Sequence, residues 1–181
     1  FKKFISLIDQ TRHFLEPVVS YYAEQDADLS RIRRSMFKKS GPADGQDSFK
    51  CAFITWLAVG FSDDLEAAGF DRQSIQVMLE TGRIPDPQRQ SLGNLSVDHI
   101  VDLHCGGTNH FENLALMPER LNRQKNQLVL LQAGARRESQ GQGFWVITLR
   151  PPRNDLGLYK PFVFVDLKST PDKTLTSPNP L

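Results

Sequence analysis

A chain of 181 residues, 39% hydrophobic and 24% charged, is long enough to bury a core as one domain, or as one compact domain with a helical extension. No apolar run approaches the roughly 20 residues that a membrane helix needs, so no membrane-spanning helix is expected. A formal net charge of +1 neither names nor excludes a nucleic-acid partner, because the whole-chain balance hides local clusters.

Cys51 and Cys105 are the two cysteines, and no CxxC pair occurs. A structural zinc site is therefore not expected. Two free thiols are the plainer expectation, and a disulfide between them is the other. The chain opens "FKKFISLIDQ", with no initiator Met and no signal-peptide pattern. It reads as a domain cut from a longer protein.

In chain order, the first half reads helical. Phe4, Leu7, Ile8, Phe14, Leu15, Val18 and Val19 recur near helical spacing, and Pro17 should start, kink or break a helix there. "DLSRIRRSMFKKSGPADG" carries Arg31, Arg33, Arg34, Lys38 and Lys39, with no acid between Asp28 and Asp44. Both a solvated helix face and a phosphate-contacting surface fit that run. "SGPADGQDS" reads as a loop. "CAFITWLAVGF", Cys51 to Phe61, is too short to span a membrane and reads as a buried helix. A helix should begin at Ser62, with Asp63 and Asp64 in its first turn and Gly69 at its end. Another should be capped by Asp71 and closed by Gly82.

After a connector, "RIPDPQRQSLGN", the texture changes. "LSVDHIV" and "LALMP" are strand-like, and Pro118 with Glu119 opens a helix through about Ala133, stopped by Gly134. "GFWVITL" and "PFVFVDL" read as two later strands, paired as a hairpin across a long polar turn. The tail "KSTPDKTLTSPNPL" is polar and proline-rich, and is expected to pack poorly unless a partner holds it.

Strand, loop, strand and helix bring three segments together. In a regular strand Asp98 and His99 point to opposite faces. A bend or bulge could aim both at one cleft. Leu121, Leu128 and Leu131 can bury one helix face against the strands, which turns Asn122 sideways toward the strand carrying Asp98. Gly106 and Gly107 supply the tight turn between strands. The ordered elements "DHI…GGTN…ENLALMP…LNRQK" resemble the HNH nuclease family, whose fold is the ββα-metal motif. The resemblance covers about Val97 to Lys125. The lead-in "GRIPDPQ…LSVDHI" is similar to that of HNH domains found in bacterial toxins.

By position, the resemblance implies that His99 is the general base that takes a proton from the attacking water. An imidazole suits that task because its pKa lies near neutral pH. It implies that Asp98 is the first metal ligand. Asn122 stands where many members have a histidine and others an asparagine, and would supply a carbonyl oxygen to the same ion. Asn113 matches the middle asparagine, a catalytic positioning residue that bonds loop or strand backbone and holds His99 in place. A carboxylate and an amide oxygen are hard ligands, which favours a single Mg²⁺ or Mn²⁺ over Zn²⁺. Such an ion neutralises a non-bridging phosphate oxygen and the leaving 3′ oxygen, giving 5′-phosphate and 3′-hydroxyl ends. Arg120, Arg123, Lys125, Arg136 and Arg137 load the helix region with positive charge. Together with Arg31, Arg33 and Arg34 they form the candidate nucleic-acid-binding set. His104 and His110 read as surface or substrate-contact residues rather than ligands, and His13 as structural.

The expectation is an α+β chain: a helical N-terminal region over 1–82, an HNH core with C-terminal strands over 83–167, and a flexible tail over 168–181. The function expected is metal-dependent hydrolysis of DNA with little sequence preference, with RNA left open. The setting expected is the toxin domain of a secreted antibacterial effector, delivered into a recipient bacterial cytoplasm and neutralised by a cognate immunity protein. Otherwise the chain is expected to be cytoplasmic. The rivals are a phage, restriction or homing-type HNH nuclease, and a nucleic-acid-binding module with a dead site.

Overall fold

The computed structural model describes residues 2–12, 14–23, 27–38, 48–85, 93–135 and 143–163. They form a mixed α+β fold. In chain order the elements are α1 (Lys2–Thr11), β1 (Glu16–Tyr22), α2 (Ala27–Lys38), α3 (Phe49–Gly60), α4 (Ser62–Ala68), α5 (Arg72–Thr81), β2 (Leu95–His99), β3 (Leu114–Pro118), α6 (Glu119–Ala135) and β4 (Phe144–Arg150).

The helix boundaries follow the capping chemistry. Ser48 Oγ accepts from Cys51 N at 3.1 Å at the start of α3. Asp71 Oδ1 accepts from Ser74 N at 2.6 Å at the start of α5, satisfying an amide that has no partner within the helix. α3 is apolar on most sides, and Phe53, Ile54, Leu57 and Ala58 are buried against α5 and α4.

β2 and β3 pair antiparallel, with Val97 opposite Leu116, Asp98 opposite Ala115 and His99 opposite Leu114. All five residues of β3 are buried. Because side chains alternate along a strand, β3 serves two cores at once. Leu114 and Leu116 pack with Val97 and the α3–α5 side chains, whereas Ala115 and Met117 pack with Leu7 of α1 and with Leu121 and Leu128 of α6. Leu131, expected on that buried helix face, is 37% exposed. The strand pair is thus clamped between helical layers, and α6 follows β3 directly with its apolar side against the strands.

Three expectations about elements change. Glu16–Tyr22 is a strand, not helix. Val18 and Val19 fit helical spacing, but "EPVVSYY" is rich in β-branched and aromatic residues and pairs with β4 from Glu16↔Arg150 to Tyr22↔Phe144. β4 therefore pairs with β1 rather than forming a hairpin with "PFVFVDL". The described part of that second segment runs beside β3: Leu116 N donates to Pro161 O and Val163 N to Leu116 O, each at 2.8 Å. The β1–β4 pairing also joins residues on both sides of the boundary drawn at 82. Finally, α6 continues through Gly134 to Ala135. The loop expected at 40–48 lies outside the described residues except for Ser48, as do His13, Lys39, most of the 83–94 connector and the tail. No helix among the described residues is long and apolar enough to cross a membrane.

The end of α6 is testable. A Cβ built on Gly134 meets nothing within 4 Å. Gly134→Ala should raise the unfolding free energy by up to about 1 kcal/mol, the difference between the two residues inside a helix, as read by urea denaturation. If Gly134 instead stopped the helix in a left-handed conformation, the same change would lower stability.

Candidate functional site

Asp98 and His99 close β2, and the strand is regular enough that they face different elements. Asp98 meets Lys125 of α6, and His99 meets Phe37 of α2. The alternation expected of a regular strand therefore holds.

Two contacts define the His99 side chain. Its Nε2 lies 2.8 Å from Asn109 Oδ1. Asn109 Nδ2 in turn donates to the backbone carbonyl of Arg33 at 3.0 Å. That second bond fixes which end of the amide faces the ring: a carbonyl can only accept, so the amide nitrogen must point to Arg33 and the amide oxygen to His99. His99 then carries its proton on Nε2, and Nδ1 holds the lone pair. The Phe37 ring packs at 4.5 Å between centroids. Only 8% of the residue is exposed. Burial lowers the imidazole pKa, and the hydrogen bond to Asn109 and the charge of Asp98 oppose that shift without reversing it. His99 is therefore neutral at pH 7, the state a proton acceptor requires.

The loop between β2 and β3 is closed by Asn113. Its amide oxygen accepts from Val101 N at 2.8 Å, and its amide nitrogen donates to the carbonyls of Val101 at 3.1 Å and Thr108 at 2.8 Å. It bonds loop backbone, as the resemblance implied, and reaches His99 only through that loop. The same closure requires glycine at position 107, where a Cβ would lie 1.8 Å from Val101 O. Gly106 adopts φ +82°, a conformation that glycine takes without strain.

On the other face, Lys125 Nζ lies 2.6 Å from Asp98 Oδ2 and 3.6 Å from Asp102 Oδ1, and also donates to the carbonyl of His99. The lysine has no exposed surface. Burial works against its charge, but the carboxylates of Asp102 and Asp98 more than offset this and raise its pKa, so it is an ammonium. Burial raises the Asp102 pKa against the pull of Lys125. Lys125 was expected among the phosphate contacts. A fully buried, doubly paired ammonium cannot serve there.

Asn122 lies one turn before Lys125 on α6. Its amide nitrogen donates to Ser96 Oγ at 2.9 Å, and its amide oxygen accepts from Asn126 at 2.7 Å. Ser96 and Asp98 share a face of β2. Asn122 thus faces β2 as expected, but one step along from Asp98, and Lys125 stands where the amide was expected. The donors along this seam suit a hard cation in kind: the Asp98 carboxylate, the Asn122 amide oxygen and the Ser96 hydroxyl, while Asp102 turns to Lys125, its Oδ2 buried without a hydrogen-bond partner among the described residues. No group of three or more His, Cys, Asp or Glu side chains among the described residues is placed to hold a metal. An ion here would need amide, backbone or water oxygens besides Asp98.

The remaining candidates divide. Arg31, Arg34 and Arg120 are exposed. Arg123 is exposed and paired with Glu119 at 2.5 Å. Arg33 is half-buried and donates to Gly107 O at 2.8 Å, so it braces the loop. Arg136 and Arg137 lie outside the described residues. His110 is exposed, while His104 stacks on Tyr22 at 5.3 Å. Neither cysteine forms a disulfide, and burial pushes the Cys105 thiol up to about 12, which removes it as a nucleophile at neutral pH. A cleft of about 580 Å³ opens elsewhere, beside Phe14, Asp64 and Lys160, and none of these site residues lines it. Two residues with no role assigned from sequence are central here: Asn109, within the quoted "GGTN", and Asp102.

No family model matches this chain, and neither does any curated protein or solved structure.

The His99 environment predicts its titration. With its pKa below 6.5 in the folded chain, the neutral ring is favoured by folding. Its contribution to stability is present above about pH 6.5 and is lost as pH falls toward the folded pKa. In ¹H–¹⁵N NMR of the metal-free protein, His99 should titrate below 6.5 and show the Nε2–H tautomer. Asn109→Ala should lower the midpoint further, because the lost hydrogen bond was raising it.

Proposed function

We propose that this chain is a metal-dependent HNH-type endonuclease that hydrolyses DNA phosphodiester bonds with little sequence preference, and that β2, the loop, β3 and α6 are its ββα-metal core. The observation that carries the reading is His99. It sits at the end of β2, neutral, with its proton fixed on Nε2 by Asn109 and its lone pair on Nδ1. A buried imidazole held in one tautomer is what a general base needs, because a positioned acceptor of near-neutral pKa removes a proton from water as the water attacks.

In this reading His99 Nδ1 accepts the proton of the attacking water. Asn109 keeps the ring in orientation and tautomer. Asn113 keeps the loop closed, so that Asn109 stays in reach. Asp98 and Asn122 would hold a Mg²⁺ or Mn²⁺ ion, whose chemistry would be to neutralise a non-bridging phosphate oxygen and charge on the leaving oxygen. That role for Asn122 requires its amide to leave Ser96 and Asn126. Arg31, Arg34, Arg120 and Arg123 are exposed cations suited to contacts along the phosphate backbone, which position a duplex without reading its sequence.

The toxin setting rests on the lead-in "GRIPDPQ…LSVDHI" alone. It carries with it delivery into a recipient bacterium and a cognate immunity protein.

A second reading has one observation in its favour. Lys125 occupies an Asp98 oxygen, and Asn122 bonds away from Asp98. A chain locked in that state would bind nucleic acid without cutting it.

Plasmid nicking separates the two. With Mg²⁺ or Mn²⁺ the wild type should nick and linearise duplex DNA, and digestion of single-stranded DNA and RNA in parallel defines its range. His99→Ala should reduce cleavage by at least about a hundredfold, the low end for a general base, while DNA binding stays near the wild-type level. Wild-type binding without cleavage across divalent ions favours the binding module. Full activity in His99→Ala removes His99 as the base.

A further inference from the structure

Asp98 is the carboxylate assigned to a divalent ion, yet one of its oxygens already faces a cation. Lys125 Nζ stands 2.6 Å from Oδ2, buried completely, and the same ammonium holds the carbonyl of His99. One side chain from α6 therefore restrains both the carboxylate of Asp98 and the backbone of the residue beside it. Asp102 faces the same ammonium, its Oδ1 at 3.6 Å.

We propose that Lys125 is a positioning residue that leaves Asp98 only one oxygen for a divalent cation, and so makes the site favour Mg²⁺ over Ca²⁺. The proposal takes the ion at Asp98 from the nuclease reading; what it adds is the geometry of the carboxylate. Ca²⁺ gathers roughly six to eight oxygens and readily takes both oxygens of one carboxylate. Mg²⁺ demands an octahedron, retains several waters, and is satisfied by one or two carboxylates each giving a single oxygen. A carboxylate that holds an ammonium at Oδ2 chelates through both oxygens only by bringing the ion beside that positive charge, so it serves better the smaller ion, which needs one oxygen. Lys125 touches neither substrate nor reacting atoms. Its effect passes through Asp98, in the way that outer partners orient metal ligands generally.

Lys125→Met alone would leave two buried carboxylates facing each other without a counter-ion, and such a chain can fail to fold. Lys125→Met combined with Asp102→Asn avoids this. Two carboxylates and one ammonium carry one net negative charge, and Asp98 alone carries the same. The double variant thus frees Oδ2 at constant local charge. Lys125→Gln with Asp102→Asn is milder, because the amide still offers a donor to Asp98. It should shift in the same direction by less, and it stands in if the first variant does not fold.

Mg²⁺ and Ca²⁺ binding to the full chain should be measured by calorimetry and thermal shift, with plasmid cleavage in parallel. The wild type should bind Mg²⁺ in preference to Ca²⁺. In Lys125→Met with Asp102→Asn the ratio of Ca²⁺ to Mg²⁺ affinity should rise about tenfold and Mg²⁺-dependent cleavage should fall by at least as much, within the range that outer partners contribute. Asp102→Asn alone keeps the ammonium on Asp98 and should keep the wild-type ratio. An unchanged ratio in both double variants, or a rise in Asp102→Asn alone, overturns the proposal. So does a wild type that binds neither ion. A wild type that binds Mg²⁺ without cutting DNA overturns the nuclease reading instead, and the affinity ratio still decides the role of Lys125.

Discussion

An ammonium with no access to water is costly unless oxygens surround it, and the seam between α6 and β2 is built to that requirement. Lys125 finds Asp98, Asp102 and the His99 carbonyl. Meeting those three partners fixes how α6 sits on the strand. With Lys125 opposite Asp98, Asn122 one turn earlier falls opposite Ser96, and Leu121 and Leu128 fall into the core shared with Ala115 and Met117. The ion pair itself need not add much stability, since a well-packed apolar pair often does as well. What it adds is register. A slide of α6 along β2 would strand a buried charge, whereas a slide of leucines alone would not.

The two faces of β2 carry separate supports. Asp98 is held from α6, and His99 is held from α2 and the loop through Asn109 and Phe37. Asn113 and Gly107 keep that loop tight against Val101, and β3 anchors the strand from both cores. The adjacent acid and histidine therefore belong to two packing environments that meet at the end of one strand. Burial on the His99 side keeps the ring neutral, while the Asp98 side keeps its charge balanced by an internal cation. The proposed base and the proposed ion ligand would each use one of these environments, which alternation along a strand supplies at adjacent positions.

Much of the fold was legible in the sequence because its signals were local. Asp71 and Gly82 bracket α5, Ser62 and Gly69 bracket α4, and "LSVDH" and "LALMP" are strands. The failures were non-local. β1 was read as helix because Val18 and Val19 fit a helical period over a short window, and its partner β4 lies more than 120 positions away (Ser20 pairs with Val146). Nothing within "EPVVSYY" names that partner. The role of Lys125 was hidden for a similar reason. "LNRQKNQ" is a polar stretch, and a lysine within it reads as surface until Asp98 and Asp102 are brought against it. Asn109 was passed over because a loop asparagine beside two glycines has a sufficient explanation as a turn residue, and its link to His99 exists only once α2 is in place.

The dependence of this arrangement on the buried ion pair is measured most directly by a double-mutant cycle in urea on the Asp102→Asn background, so that no second buried carboxylate is stranded, using Asp98→Asn, Lys125→Met and the two together. Each single change should cost about 3 kcal/mol or more, because it leaves an unpaired buried charge or its equivalent. The double variant should cost well below the sum, with a coupling above about 2 kcal/mol. Additivity within about 0.5 kcal/mol would mean that Lys125 and Asp98 do not hold each other, and that the end of β2 is fixed by something else.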